Sequence, residues 1–266
     1  MNPCLFLLLA LAAPAGPTTV PAAAADDRPV RALLIIGGCC HDYAKQKEIL
    51  SKGISARANV QWSIFHEGDT REHRISVYAN PDWWKGYDVI VHDECFGAIN
   101  DVAFVESIVK PHAAGLPVVA LHCAMHSYRA AKTDAYVEML GIRSMAHGPS
   151  RPIDVAFEKV DHPITKGFKD WTTGNEELYN NIKVYDSITP LARGRQDGKE
   201  TIVAWTNDFK GTRVFCTTLG HSNATVGDPR YLDLVTRGLL WSVNKLDDAH
   251  LKPAARVLIN DAPAKP

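Results

Sequence analysis

Histidine recurs at four places where an apolar run gives way to polar residues, and each place carries further polar groups. His41 and Asp42 come soon after residues 31–38 (RALLIIGG), and His92, Asp93 and Glu94 end and follow residues 88–92 (DVIVH). His122 and His126 follow residues 117–121 (PVVAL), and His221 and Asn223 follow residues 213–218 (RVFCTT). Imidazole changes charge near neutral pH and offers a ligand nitrogen when neutral. A cluster of this kind can therefore pass protons or hold a divalent metal of the zinc type. On that reading His41, Asp42, His122, His126 and His221 are candidate ligands, and His92 and His122 are candidate acid–base groups. His122 and His126 stand four apart at an expected helix start, so they could share one face. The other six, His66, His73, His112, His147, His162 and His250, fall at positions that read as loop or surface.

Such groups meet only if the runs before them are strands that end at one edge of a sheet. In an open parallel sheet, ligands bind outside the carboxyl ends of the strands, near the point where strand order reverses. Runs at 31–38, 60–65, 88–92 and 117–121 are apolar through much of their length, as strands buried on both faces must be. Helical spacing lies between them at 43–57 and at 102–114, the second preceded by Asn100 and Asp101 as caps. The alternation predicts right-handed crossovers and an α/β fold with a doubly wound, mostly parallel sheet. The second half is strand-rich, with runs at 153–158, 188–192, 201–205 and 213–218, and closes on a helix capped by Asp228 with Pro229 at its first position. That topology brings His41, His92, His122 and His221 into one cleft.

The chain has 266 residues, with 29 Lys+Arg against 30 Asp+Glu and a formal charge of −1, a balance that argues against nucleic acid as a partner. A hydrophobic fraction of 46% with 22% charged residues is ordinary globular composition. No apolar run beyond the first fifteen residues reaches the roughly 20 needed for a bilayer-spanning helix, so no stable membrane insertion is expected. Residues 1–25 read as an export signal: 5–13 are apolar, 22–25 are small, and Asp26 and Asp27 follow. A periplasmic or secreted protein is the expectation, with a globular unit over 26–246 and a loose tail over 247–266. Five cysteines remain after cleavage, without framework spacing, and most read as small buried hydrophobes. Adjacent Cys39 and Cys40 are not expected to bridge, because a vicinal disulfide needs strained geometry.

Four segments occur in order along the chain: the His-Asp after the first run, PVVALHCAMHS, DHPITKGFKDW followed by EELYNN, and VAWTNDFKGTRVFCTTLGHS followed by the helix ending LLWSVNK. This ordered set resembles the ThuA-like (trehalose utilization) family, over about residues 30–246. The resemblance implies a flavodoxin-like, class I glutamine amidotransferase-like fold and a small-molecule carbohydrate as partner, with no nucleotide or flavin. It places Glu176, Glu177 and Tyr179 in a loop near the site. The two carboxylates become candidate acid–base groups, and Asp93, Tyr179 and Asn223 candidate substrate contacts. In amidotransferases the strand of the PVVAL type ends in an elbow bearing a nucleophilic cysteine. Here His122 holds that position and Cys123 comes one residue late. Trp83, Trp84 and Trp171 could stack on sugar faces or belong to the core.

The leading expectation is an enzyme acting on a glycoside or keto-sugar derivative by hydrolysis, elimination or isomerisation. Two alternatives stand beside it: a non-catalytic carbohydrate-binding accessory protein, and an amidotransferase-type cysteine hydrolase using Cys123. Oligomeric state is open.

Overall fold

The computed structural model describes Met1, residues 28–247 and residues 250–252. The expected export signal and most of the expected tail lie outside the described residues. The first half alternates as the apolar runs predict: β1 (Val30–Gly38), α1 (Tyr43–Ser55), β2 (Val60–His66), β3 (Val89–Cys95), α2 (Val102–Ala113) and β4 (Val118–Leu121). A short α3 (Ala135–Leu140) and the two-residue β5 (Ile142–Arg143) lead into the second half. There β6 (His147–Phe157), β7 (Trp171–Tyr179), β8 (Lys183–Val184), β9 (Ile188–Gln196), β10 (Lys199–Phe209) and β11 (Thr212–Thr217) precede α4 (Asn223–Val226) and α5 (Pro229–Ser242).

Nine strands form one sheet in the order β2-β1-β3-β4-β11-β10-β9-β6-β7. The first five run parallel, and β10, β9, β6 and β7 continue the sheet as antiparallel neighbours. Strand order reverses at β1, so the loops after β1 and β3 flank the switch point where doubly wound sheets bind ligands. Each face of the sheet carries its own core. Leu34, Ile36 and Val91 pack with Leu232, Val235 and Leu239 of α5 on one side, and Leu33, Ile35 and Ile90 with Val105, Ile108 and Met139 on the other. Two opposite apolar faces on one strand are what make β1 apolar from Ala32 through Ile36.

Caps fix the helix starts. Asp101 accepts from the Phe104 amide and Asp228 from the Arg230 amide, each satisfying an otherwise unpaired first-turn donor. Not every boundary follows the expectation. The 88–92 run extends through Cys95, because His92, Asp93 and Glu94 find buried partners or space and keep the ladder going. Residues 122–126 form a 3₁₀ turn instead of starting an α-helix. Part of the tail is fixed: Leu251 is buried and bridges Ala58. Among the described residues no helix is long and apolar enough to cross a membrane.

Candidate functional site

Three loops at the carboxyl edge of the parallel strands deliver imidazoles to one point. His41 comes from the β1–α1 connection, His122 from the end of β4, and His221 from the turn after β11. Their ring centroids are 4.7 Å (His41–His122), 5.0 Å (His41–His221) and 5.5 Å (His122–His221) apart. One nitrogen from each lies within 4.8 Å of the others. Glycines let the loops approach this closely. Gly38 has φ +98°, and a Cβ there would lie 2.4 Å from the Cys95 carbonyl oxygen. Gly220 has φ +121°, and its Cβ would stand 2.7 Å from the Tyr231 hydroxyl. Both conformations are open to glycine and strained for other residues.

The elbow at His122 has φ +39°, a conformation a non-glycine residue seldom holds without surrounding support. Its Nδ1 lies 2.6 Å from the Thr218 carbonyl oxygen, which can only accept, so Nδ1 carries the proton and Nε2 keeps its lone pair. That lone pair faces the site, 3.3 Å from the Tyr179 hydroxyl and 3.7 Å from Glu177 Oε2. Glu177 also stands 3.5 Å from His221 Nδ1 and 3.5 Å from His147 Nδ1. Burial lowers the His41 pKa to about 4, with the neighbouring His221 charge adding to the effect, and burial holds His122 well below its ordinary value. These two rings are therefore neutral at pH 7, with lone pairs available to a metal or a proton. The buried Nδ1 atoms of His41 and His221 have no hydrogen-bond partner among the described residues, although Glu177 stands near the latter. Three imidazoles with a carboxylate at the rim match a divalent zinc-type donor set.

The expected loop at Glu176, Glu177 and Tyr179 is strand β7, and its alternation separates their roles. Glu177 and Tyr179 share the face that lines a cleft of about 420 Å³. Glu176 faces the other way and is fully buried, accepting the backbone N–H groups of Gly220 (3.2 Å), His221 (3.1 Å) and Ser222 (3.4 Å). Burial raises its pKa to about 7 against the pull of those bonds. Glu176 is thus the clamp that shapes the His221 loop, not a group open to substrate.

His92 does not join the cleft. Because β3 continues past it, alternation sends His92 and Glu94 to the α2 face, where His92 Nδ1 meets Glu94 Oε1 at 2.9 Å and Nε2 meets His112 Nε2 at 3.2 Å. The expectation of His92 as an acid–base group in the cleft is corrected, and so is the surface reading of His112, which is fully buried. Asp93 is buried, does not line the cleft, and is pushed toward its neutral form by burial and then by the Glu94 charge. Asp42 caps α1 through the Lys45 amide and accepts from Asn223 Nδ2 at 2.8 Å. The expected ligand Asp42 and the expected sugar contact Asn223 thus hold two loops together instead of lining the cleft. His126 does line it, stacked on Tyr179 with centroids 4.0 Å apart, and its Nε2 is 2.8 Å from Ser144 Oγ, outside the trio.

Three cleft residues were missed by the sequence reading. His147, Arg71 and Arg129 come from connections and a strand end with no motif around them. Trp83 and Trp171 are buried and Trp84 packs against the core, so none of them is a sugar platform. The cysteine expectation is also corrected. Cys39 bonds Cys40 and Cys95 bonds Cys123, leaving Cys216 as the free thiol among the described residues. Positive φ angles at Gly37, Gly38 and Cys40 turn the chain tightly enough for the adjacent pair.

The family profile for ThuA, described as trehalose utilisation, matches residues 34–242. This chain belongs to the ThuA family. A ThuA-like protein of Parabacteroides merdae superposes with a TM-score of 0.69 at 18% identity, covering 85% of this chain and 92% of that one. A ThuA-like protein of Bacteroides uniformis gives 0.63 at 16% identity, covering 88% and 98%. A protein of Thermoplasma acidophilum described as part of a GMP synthase gives 0.52 at 12% identity, covering 81% and 94%. At these identities the likeness shows a shared flavodoxin-like, amidotransferase-like fold and nothing about reaction. No curated protein matches the chain. Within this fold, the tight turn after β4 is occupied by His122 at φ +39°.

Proposed function

We propose that this ThuA protein is an exported enzyme of carbohydrate catabolism. It acts on a glycoside or keto-sugar derivative by acid–base chemistry at the His41, His122 and His221 cluster. The observation that carries the reading is the convergence of three imidazoles, two of them held neutral by burial, with Glu177 and Tyr179 at their rim. His122 Nε2, with its proton-free lone pair fixed by the Thr218 carbonyl, is the atom able to accept a proton or bind a metal. Glu177, 14% exposed, lies within 4 Å of His122, His147 and His221 and is the general acid–base candidate. A divalent ion held by the trio would act as a Lewis acid on a sugar carbonyl or hydroxyl. The sugar itself is suggested by the family's description.

The cysteine hydrolase alternative is disfavoured by the sulfur chemistry, since Cys123 is bonded to Cys95 and offers no thiolate. The experiment is metal analysis of protein purified without chelator, coupled to a turnover screen of disaccharides and 3-keto glycosides. Bound metal near one equivalent and turnover lost in His122→Ala support the reading. Metal-free protein that neither turns over nor binds any sugar overturns it.

A further inference from the structure

One wall of the His cleft carries two guanidinium groups that have no acidic partner among the described residues. Arg71 sits in the β2–β3 connection, and its carbonyl oxygen accepts the Ala98 amide at 3.1 Å, which fixes its backbone beside Gly97. Its side chain has no hydrogen bond or ion pair among the described residues. Arg129 follows the His122–His126 turn and donates from Nη1 to the neutral Met145 carbonyl at 2.9 Å. Glycine at position 97 keeps the space between the two guanidinium groups open. A Cβ there would lie 3.3 Å from Arg129 Nε and 3.6 Å from Arg71 Nη2.

Like charges this close repel, and although Arg71 is exposed, the partial burial of Arg129 weakens the screening between them. Burial and the repulsion lower the Arg129 pKa, and both guanidinium groups oppose protonation of His126. Glu177 is the lone carboxylate among the described residues that line the cleft, and it is engaged with His122, His147 and His221 instead. An oxyanion entering between the arginines would relieve the repulsion and gain charge-assisted hydrogen bonds. Planar guanidinium forks match the oxygens of a carboxylate or phosphate. His41, His221, Glu177 and Tyr179 line the same cleft as these arginines, so a ligand anchored here reaches two of the three imidazoles, with His122 directly behind Tyr179.

We infer that the substrate is an acidic carbohydrate, its carboxylate or phosphate held by Arg71 and Arg129 and its reacting carbons presented to the His41, His122 and His221 cluster. This inference rests on the carbohydrate reading above and names the substrate class. Calorimetry on the intact protein, with glucuronate, glucose 6-phosphate, glucose and inorganic phosphate as probes, tests it. One or both acidic sugars should bind at least about tenfold tighter than glucose at about 50 mM salt, and the gap should narrow at high salt. The tighter of the two identifies the anionic group. Arg71→Gln and Arg129→Gln should each shrink the acidic-to-neutral affinity ratio by about tenfold or more.

Glucose binding as tightly as both acids, or neither acid binding, overturns the inference. So does inorganic phosphate binding as tightly as glucose 6-phosphate, because then the sugar contributes nothing. A ratio that survives both substitutions removes the anion site while leaving the catalytic reading intact. A ratio lost in both variants of a protein without metal or turnover upholds the anion site and defeats the catalytic reading.

Discussion

Replacing Glu176 separates a clamp from a catalyst. Its carboxylate accepts three backbone N–H groups from the loop that carries His221, at 3.1–3.4 Å, from a fully buried position. Glu176→Ala leaves those donors without an acceptor at a cost of about 1–3 kcal/mol for each one kept dry. With the Ser222 contact the longest, about 3–6 kcal/mol of destabilisation is expected, a large share of the stability of an ordinary domain. Glu176→Gln keeps one acceptor oxygen and sets an amide against the remaining donors, for a loss of about 1–3 kcal/mol.

The pH dependence adds a second readout. Burial holds the folded pKa near 7, above the ordinary 4.5, so this group's contribution to stability is full below pH 4.5 and is lost as pH rises through 7. That amounts to about 3 kcal/mol. Urea unfolding should therefore show wild type losing about 3 kcal/mol relative to Glu176→Gln between pH 4.5 and pH 8, so that its advantage at low pH disappears or reverses. A Gln variant with wild-type stability at every pH but no turnover would refute the reasoning and return Glu176 to the chemistry.

His122→Ala should cut turnover or metal affinity by about two orders of magnitude or more, whereas Cys123→Ala should leave the chemistry and lower stability. The latter opens a crosslink between residues 28 apart, worth about 3 kcal/mol by loop entropy. Steady-state kinetics with circular dichroism compares the two. Acid should destabilise the protein through its buried imidazoles. His41 and His126, with pKa values of about 4 and about 3, contribute stability that is complete above pH 6.5 and is lost as pH falls through 4 and then 3. Thermal melts across that range should show a falling midpoint, and a flat profile would contradict the burial argument. Protein from the native host should begin at or near Asp26, which N-terminal sequencing reads directly.

The parallel half of the fold was legible because burial on both faces writes itself as continuous apolar runs, and caps such as Asp101 and Asp228 mark the helix starts. The antiparallel half was read less well. β6 and β7 have mixed, partly exposed patterns with bulges, so Glu176, Glu177 and Tyr179 looked like loop. Strand ends were also misjudged where buried polar residues continue a ladder, and the continued pleat of β3 is what carries His92 away from the cleft.

From sequence alone came the sheet class and the meeting of His41, His122 and His221 at the carboxyl edge, since each follows a strand that topology aligns with the others. Which neighbouring polar group faces the cleft was decided only by the tertiary structure. Glu177 and Tyr179 line the site while Glu176 clamps its loop. Asp42 and Asn223 bind each other, and Arg71, Arg129 and His147 arrive from unmarked connections. Composition and period say where strands lie, but the face a side chain takes at a strand's end depends on a shift of one residue in the pleat. The partner it finds depends on loops far away in sequence.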